Sequence, residues 1–288
     1  MKIDFSKGIQ SKREATTSGR YYKPVDELVA RQFSEPLKPS WTNISSCESS
    51  PGLSQYFKDK GRWADIDGPT TAIIGTITHQ AVDDLNLGKK INTDWIVEAL
   101  DNYHDIRWKL VYPNKWEAVE LIKKQIMGYQ EWYWEHQPTI LQSEIMMWHP
   151  DVPYAGTADL VLNIYNKRQK QDTLMLADLK TGNEQDKHFE QCMAYAILLE
   201  KIYKVKVSTL GVLYCQGRWR GAEAKPGKMK VKVVRNKSGE YTSDANYLMN
   251  RVVKVYECWK SNQKTSQPTT KPRLPNEFSL TKPKKGKI

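Results

Sequence analysis

The sequence predicts an α/β protein: a central mixed β-sheet flanked by helices. Three observations predict it. Apolar residues recur at helical spacing over 73–85 and 116–133, strand-like runs fill 140–180, and a helix-length apolar segment at 185–203 separates those runs from further strands.

In order, Ile73, Ile74, Ile77, Val82 and Leu85 make a helical stripe that Gly88 ends. Trp116, Val119, Ile122, Ile126, Met127 and Tyr133 mark a long amphipathic helix. Ile140–His149, Tyr154–Tyr165 and Thr173–Lys180 read as strands, the last two a hairpin through the basic turn Asn166–Gln171. Gln185–Tyr203 is apolar on most sides, hence a buried helix. Val207–Cys215 and Met229–Arg235 read as strands, and Tyr247–Trp259 as a closing helix. Residues 1–39 are polar and read as an irregular arm with one short helix near Val25–Phe33. Residues 40–262 are expected to form the domain. Residues 263–288, with Pro268, Pro272, Pro275 and Pro283 among Lys and Thr, read as a flexible basic tail.

Composition excludes several classes. Hydrophobic residues make up 39% of the 288 and include ten Trp, too many for a disordered chain. No apolar run approaches a membrane span, and Met1–Lys7 has no apolar segment of the secretory kind. The four cysteines, Cys47, Cys192, Cys215 and Cys258, form no C-x-x-C pair. They read as reduced, buried thiols of a cytoplasmic protein. Net charge is +11, and it is concentrated. Residues 201–237 hold eleven Lys/Arg against Glu223 alone, and residues 265–288 hold six against Glu277. Such stretches suit either a polyanionic partner or a solubilising surface.

The residues with chemical potential cluster on the second and third strands. In Gly156-Thr157-Ala158-Asp159-Leu160, alternation turns Asp159 away from Leu160. In Asp178-Leu179-Lys180, the aspartate and lysine share a face. Asp178 lies among apolar neighbours, where an ionised carboxylate needs a pair or a cation. Two carboxylates on neighbouring strands could hold Mg²⁺, with Glu144 as a third, or could simply pair with Lys180.

Five motifs in order decide between these readings. They are Gly75-Thr76-Ile77-Thr78-His79, then Glu144, Gly156-Thr157-Ala158-Asp159, Asp178-Leu179-Lys180-Thr181-Gly182, and Gln191-Cys192-Met193-Ala194-Tyr195. Together they resemble the PD-(D/E)XK nuclease superfamily, and within it the RecB-like exonuclease branch. Pro39-Ser40-Trp41-Thr42 looks like the opening segment of its phage and mitochondrial-type members. Ala158 stands where the family name has proline; the carboxylate beside it is what a metal needs.

The resemblance implies a restriction-endonuclease-like core and metal-dependent hydrolysis of DNA. It implies a divalent metal, Mg²⁺ with Mn²⁺ able to substitute, on His79, Asp159, Asp178 and the backbone carbonyl of Leu179, with Glu144 assisting. Lys180 would orient or activate the attacking water. Gln191 and Tyr195, one helical turn apart, would hold Lys180 or the scissile phosphate. The cysteine spacing does not match the iron–sulfur pattern of some relatives, so no cluster is expected. His188, about one turn before Gln191, would lie near the substrate path.

For the substrate, Thr181 and the guanidinium–indole–guanidinium run Arg218-Trp219-Arg220 would contact DNA, single-stranded or at free ends. Tyr129, Trp132, Tyr133 and Trp134 crowd one helix, either as a base-stacking arch or as packing for the arm. The expected activity is an exonuclease of recombination, repair or genome processing, in the cytoplasm or alternatively the mitochondrial matrix. A structure-specific endonuclease and a non-catalytic DNA-binding protein are the alternatives. No phosphate-loop motor motif is present, so a helicase or recombinase would be a separate chain.

Overall fold

A computed structural model describes residues 3–16, 19–48, 51–166, 171–217, 219–220 and 223–263. The amino-terminal part contains β1 (Ser11–Thr16), β2 (Gly19–Pro24), α1 (Glu27–Ala30), β3 (Lys38–Pro39), α2 (Trp41–Ser45) and α3 (Pro51–Lys60). A helical block follows: α4 (Ala64–Asn86), α5 (Thr93–Asp101), α6 (Trp108–Val111) and α7 (Lys115–His136). Then come β4 (Thr139–Met147), β5 (Gly156–Asn166), β6 (Gln171–Lys180), α8 (Lys187–Tyr203) and β7 (Thr209–Tyr214). The short β8 (Trp219–Arg220) and β9 (Glu223–Ala224), β10 (Lys228–Val233) and α9 (Ser243–Ser261) complete the described chain.

The central sheet has the order β10-β7-β6-β5-β4. It is mixed, as expected: β6 and β7 run parallel, joined across α8, and every other pair is antiparallel. Leu174, Leu176, Val161 and Val212 face α8 and α9 on one side. Met175, Ala177, Leu160 and Leu213 face Val82 of α4 and Tyr129 and Trp132 of α7 on the other. Alternation of apolar side chains to both faces explains why these strands read as continuous hydrophobic runs.

Helix α4 begins nine residues before the first apolar position of its stripe and contains Pro69. A proline there leaves the Asp65 carbonyl without its helical donor. Arg107 Nη1 supplies that bond from α6's N-terminal side, at 3.1 Å.

The expected irregular arm is instead a three-stranded antiparallel sheet, β1-β2-β3, and the short helix is the single turn α1, capped by Asp26. The physical reason is aromatic burial. Tyr22 packs with Trp148 and Ala155, and the Phe33 ring lies 5.0 Å from Trp148. Lys38 then fastens this sheet to the end of β4. Its Nζ donates to the carbonyls of His149, Pro150 and Val152 at 2.7, 2.6 and 2.5 Å, and sits 4.8 Å over the Trp148 ring. All three ammonium donors are used, which is what allows a lysine to be buried.

The four cysteines are free thiols; Cys192 and Cys215 are buried, whereas Cys258, expected to be buried, is exposed on α9. Arg218 and residues 264–288, including nearly all of the expected tail, lie outside the described residues. Among the described residues no helix is long and apolar enough to cross a membrane.

Replacing Lys38 by Met leaves three carbonyls without a donor. The expected cost is about 2–3 kcal/mol, read as a lower urea midpoint with unchanged slope.

Candidate active site

The site forms where β5 and β6 part. Their ladder is regular from Asn166↔Gln171 to Leu160↔Ala177. One step further the strands diverge, and Asp159 fills the fork: its Oδ2 accepts the Leu179 N–H at 2.7 Å. A strand donor that lost its partner strand is thereby satisfied, and the carboxylate is fixed at the mouth of the fork. The same Oδ2 lies 3.5 Å from His79 Nδ1 on α4.

Glu144 reaches this point by an unusual backbone. Its φ is +47°, in the left-handed region, between the β4–β5 pairs Ser143↔Leu160 and Ile145↔Ala158. A non-glycine residue there costs about 1 kcal/mol or more, and persists only where surrounding structure enforces it. The distortion brings Oε1 to 3.6 Å from His79 Nδ1. His79, Glu144 and Asp159 thus each offer one donor atom, all within 4.8 Å of one another. They line a cleft of about 180 Å³. The nitrogen–oxygen donor set, half-buried and two parts carboxylate, fits a small divalent cation.

Asp178 and Lys180 form an adjacent, deeper group. Asp178 is 1% exposed, Oδ1 accepts from Gln191 Nε2 at 2.8 Å, and Oδ2 lies 2.5 Å from Lys180 Nζ. That second contact is an ion pair, which leaves the other lone pair of Oδ2 for a cation. Burial pushes the Asp178 carboxyl up to about 6; Lys180 opposes the shift and Asp159 adds to it. Burial also works against the Lys180 ammonium, but Asp178 and Asp159 more than offset it, and its pKa is raised. For His79 the same contest, burial against Asp159 and then Glu144, also ends with a raised pKa.

The two glycines of the motifs have spatial reasons. A Cβ on Gly156 would lie 2.3 Å from the Tyr195 ring, so Tyr195 of α8 is pressed against the strand that carries Asp159. A Cβ on Gly75 would lie 3.2 Å from Thr181 Oγ1, so α4 passes close to the end of β6 and presents His79 one turn later. Ser40, of the Pro39–Thr42 segment, caps α2 and bridges to Ala155, beside Gly156.

The structure therefore brings His79, Glu144 and Asp159 together, with Leu179 on the wall, and sets Asp178, Lys180 and Gln191 behind them. Gln191, expected at Lys180 or the phosphate, holds Asp178. The Leu179 N–H is held by Asp159, and Leu179 lines the cleft. His188 is buried, its Nδ1 2.9 Å from Tyr214 Oη, and burial pushes its pKa down to about 4. Tyr214 pairs in register with Lys180, so this neutral imidazole lies beside the site. Trp219 and Arg220 belong to β8. Of the basic stretch at 201–237, Lys201, Lys228, Lys230 and Arg235 are engaged with Asp151, Glu184 and Glu200, so part of that charge is structural.

Asp83, Asn86 and Ser143 line the same cleft and were not anticipated. Ser143 Oγ bonds Asp83 Oδ1, and Tyr129 Oη donates to Asn86 Oδ1 at 2.6 Å. Asp83 and Asn86 stand four and seven residues after His79, so following that helix face would have found them.

A family model of the PD-(D/E)XK nuclease superfamily matches residues 54–270. The chain belongs to the PD-(D/E)XK nuclease superfamily. The five-stranded mixed sheet between helices is that family's fold, and family membership makes the protein a hydrolase of nucleic acid that uses divalent metal. No curated protein matches the chain. The match begins after β1–β3, so the amino-terminal sheet lies outside the family core.

Two predictions follow from the site's electrostatics and strain. Asp178 keeps its proton to about pH 6 when folded, whereas the unfolded carboxyl loses it near 3.8. Stability of metal-free protein should therefore fall as pH rises from about 4 to 6. Asp178→Asn, which can still accept from Gln191, should flatten that slope; parallel curves would refute the burial argument. Glycine accepts the Glu144 backbone freely, so Glu144→Gly should hold stability or gain up to about 1 kcal/mol while lowering nuclease activity.

Proposed function

We propose that this protein is a Mg²⁺-dependent deoxyribonuclease, able to use Mn²⁺, acting as an exonuclease on single-stranded or free DNA ends. The observation that carries the reading is the convergence of His79, Glu144 and Asp159 next to the Asp178–Lys180 pair. In this reading His79, Glu144 and Asp159 hold the cation, with the free lone pair of Asp178 Oδ2 completing its shell. A divalent ion bound there supplies Lewis acidity and a water that ionises near neutral pH.

The side chains divide the remaining work. Lys180 keeps a fixed positive charge where negative charge grows on the phosphate, with no reorganisation needed during reaction. Asp178 holds that ammonium in place, and Gln191 fixes Asp178 by its other oxygen. Tyr195 keeps α8 against β5 and so sets the distance between Gln191 and Asp159.

Preference for unpaired DNA is supported by the groove next to the cleft. It has a volume of about 960 Å³, shares Asn86 with the cleft, and is walled by Tyr133 and Trp134. Trp134 is 57% exposed, while Tyr129 and Trp132 are buried against the sheet, so only part of the aromatic cluster is available for stacking. The motif set resembling the RecB-like branch supports an exonuclease. Roles in recombination, repair or genome processing, alone or beside a separate helicase or recombinase, belong to the same reading.

The test is digestion of end-labelled linear and circular DNA, single- and double-stranded, with Mg²⁺, Mn²⁺ or EDTA. Linear substrates should be degraded only with metal and circles spared. Lys180→Ala should lower kcat by about 10²–10³-fold, and Asp159→Asn should abolish cleavage while leaving binding. Nicked or opened circles would establish an endonuclease instead, and binding without any cleavage would establish a non-catalytic DNA-binding protein.

A further inference from the structure

The β1–β2 hairpin lies outside the family-matched region, yet it touches the strand that carries Asp159. Register pairs Arg13 with Tyr22 and Ala15 with Arg20, so Arg13, Arg20 and Tyr22 share one face of the hairpin. That face meets Thr157. Tyr22 Oη and Thr157 Oγ1 are 3.0 Å apart, and Arg13 Nη2 donates to the same Oγ1 at 3.4 Å. Thr157 is two residues before Asp159 on β5. The hairpin therefore forms a wall beside the metal-ligating cluster.

Among the described residues no carboxylate lies within 4.0 Å of the Arg13 or Arg20 guanidinium, and both side chains are exposed. The hairpin's own acid, Glu14, is engaged by Lys12 and Lys23 on the opposite face. Arg13 lies 5.9 Å from the Tyr22 ring centroid, and that ring is buried, so the side chain has a platform that limits its freedom. The Arg20 carbonyl accepts from the Ser40 N–H at 2.9 Å, and Ser40 bridges to Ala155, which sets Arg20 beside the Gly156 end of β5. As diagonal neighbours across an antiparallel ladder, the two arginines stand about 7–8 Å apart, near enough to grip one phosphate together. Guanidinium groups suit this task, since a planar fork of donors matches two phosphate oxygens at once.

We propose that Arg13 and Arg20 form a phosphate clamp that binds a backbone phosphodiester of the substrate strand adjacent to the scissile one. The proposal rests on the nuclease reading above and specifies how the strand is held in this chain. Thr157 and Tyr22 position the clamp, tying hairpin and β5 together so that a phosphate gripped by the arginines is registered against Asp159. The clamp contributes binding and alignment and touches no reacting atom.

The test separates clamp from chemistry. Binding of a labelled single-stranded oligothymidylate to the whole chain is measured in EDTA over a range of salt. Hydrolysis of the same strand with Mg²⁺ or Mn²⁺ is measured in parallel. For Arg13→Ala/Arg20→Ala, affinity should fall roughly tenfold or more. The slope of log K against log salt should become shallower by about 0.7, the share of one neutralised phosphate on a single strand. KM should rise with kcat held, and Arg13→Lys/Arg20→Lys should keep the salt slope while restoring affinity only in part. Unchanged affinity and slope in the double alanine variant would overturn the clamp.

Should that variant fail to fold, the unaltered protein is tested on strands carrying one neutral methylphosphonate at successive positions. One or two positions should account for the loss of affinity; no loss at any position would overturn the clamp. If the protein binds the oligonucleotide with these signatures but cleaves nothing with either metal, the hydrolytic reading falls and the clamp stands. If it does not bind the strand at all, the clamp falls.

Discussion

The bond from the Leu179 N–H to the Asp159 carboxylate is the interaction on which the site depends. Two antiparallel strands that part in a core expose backbone donors to apolar surroundings, and each such donor must be satisfied or destabilise the fold. Asp159 satisfies one from the opposing strand, with an oxygen that also faces His79. The fork and the His79–Glu144–Asp159 cluster thus share one carboxylate. An apolar residue at 159 would leave the N–H bare as well as removing that carboxylate from the cluster, so the cluster and the local strand geometry are not separable.

Around the fork, each supporting residue restricts one degree of freedom. Gly75 lets α4 approach β6, and Gly156 lets α8 approach β5, so two helices on opposite faces both reach the same strand ends. Glu144 is turned inward by a backbone that a regular strand would not adopt. Asp178 is kept where its charge is costly, balanced by Lys180 and oriented by Gln191. These are places where local preference gives way to the needs of a site, as expected when the fold around them is otherwise consistent.

Most of the central sheet and its helices could be read from sequence, because Met175, Ala177 and Leu179 or Ile73, Ile74 and Ile77 repeat with the period of the element they form. The shared face of Asp178 and Lys180 was legible for the same reason. What was not legible depended on partners far away in sequence. The strands of the amino-terminal sheet have no strong apolar alternation of their own; Tyr22 is buried only because Trp148 is there. The early start of α4 was hidden by Pro69, tolerated through Arg107. Gln191's true partner and the left-handed turn at Glu144 follow from how the sheet forks, which residue spacing alone does not express.

The fastening of the first sheet has a consequence for the order in which the molecule is assembled. Lys38 finds its acceptors more than a hundred residues later, and Glu48 is held by Arg251, some two hundred residues on. Segments early in the sequence therefore have their permanent neighbours far along it. Closing such wide loops is slow relative to forming the local helices α4–α7. During translation the helical block can settle while β1–β3 waits for β4 and β5. The hairpin's docking residues, Trp148, Ala155 and Thr157, all precede Asp159, so the arginine-bearing wall can be in place as soon as β6 completes the fork.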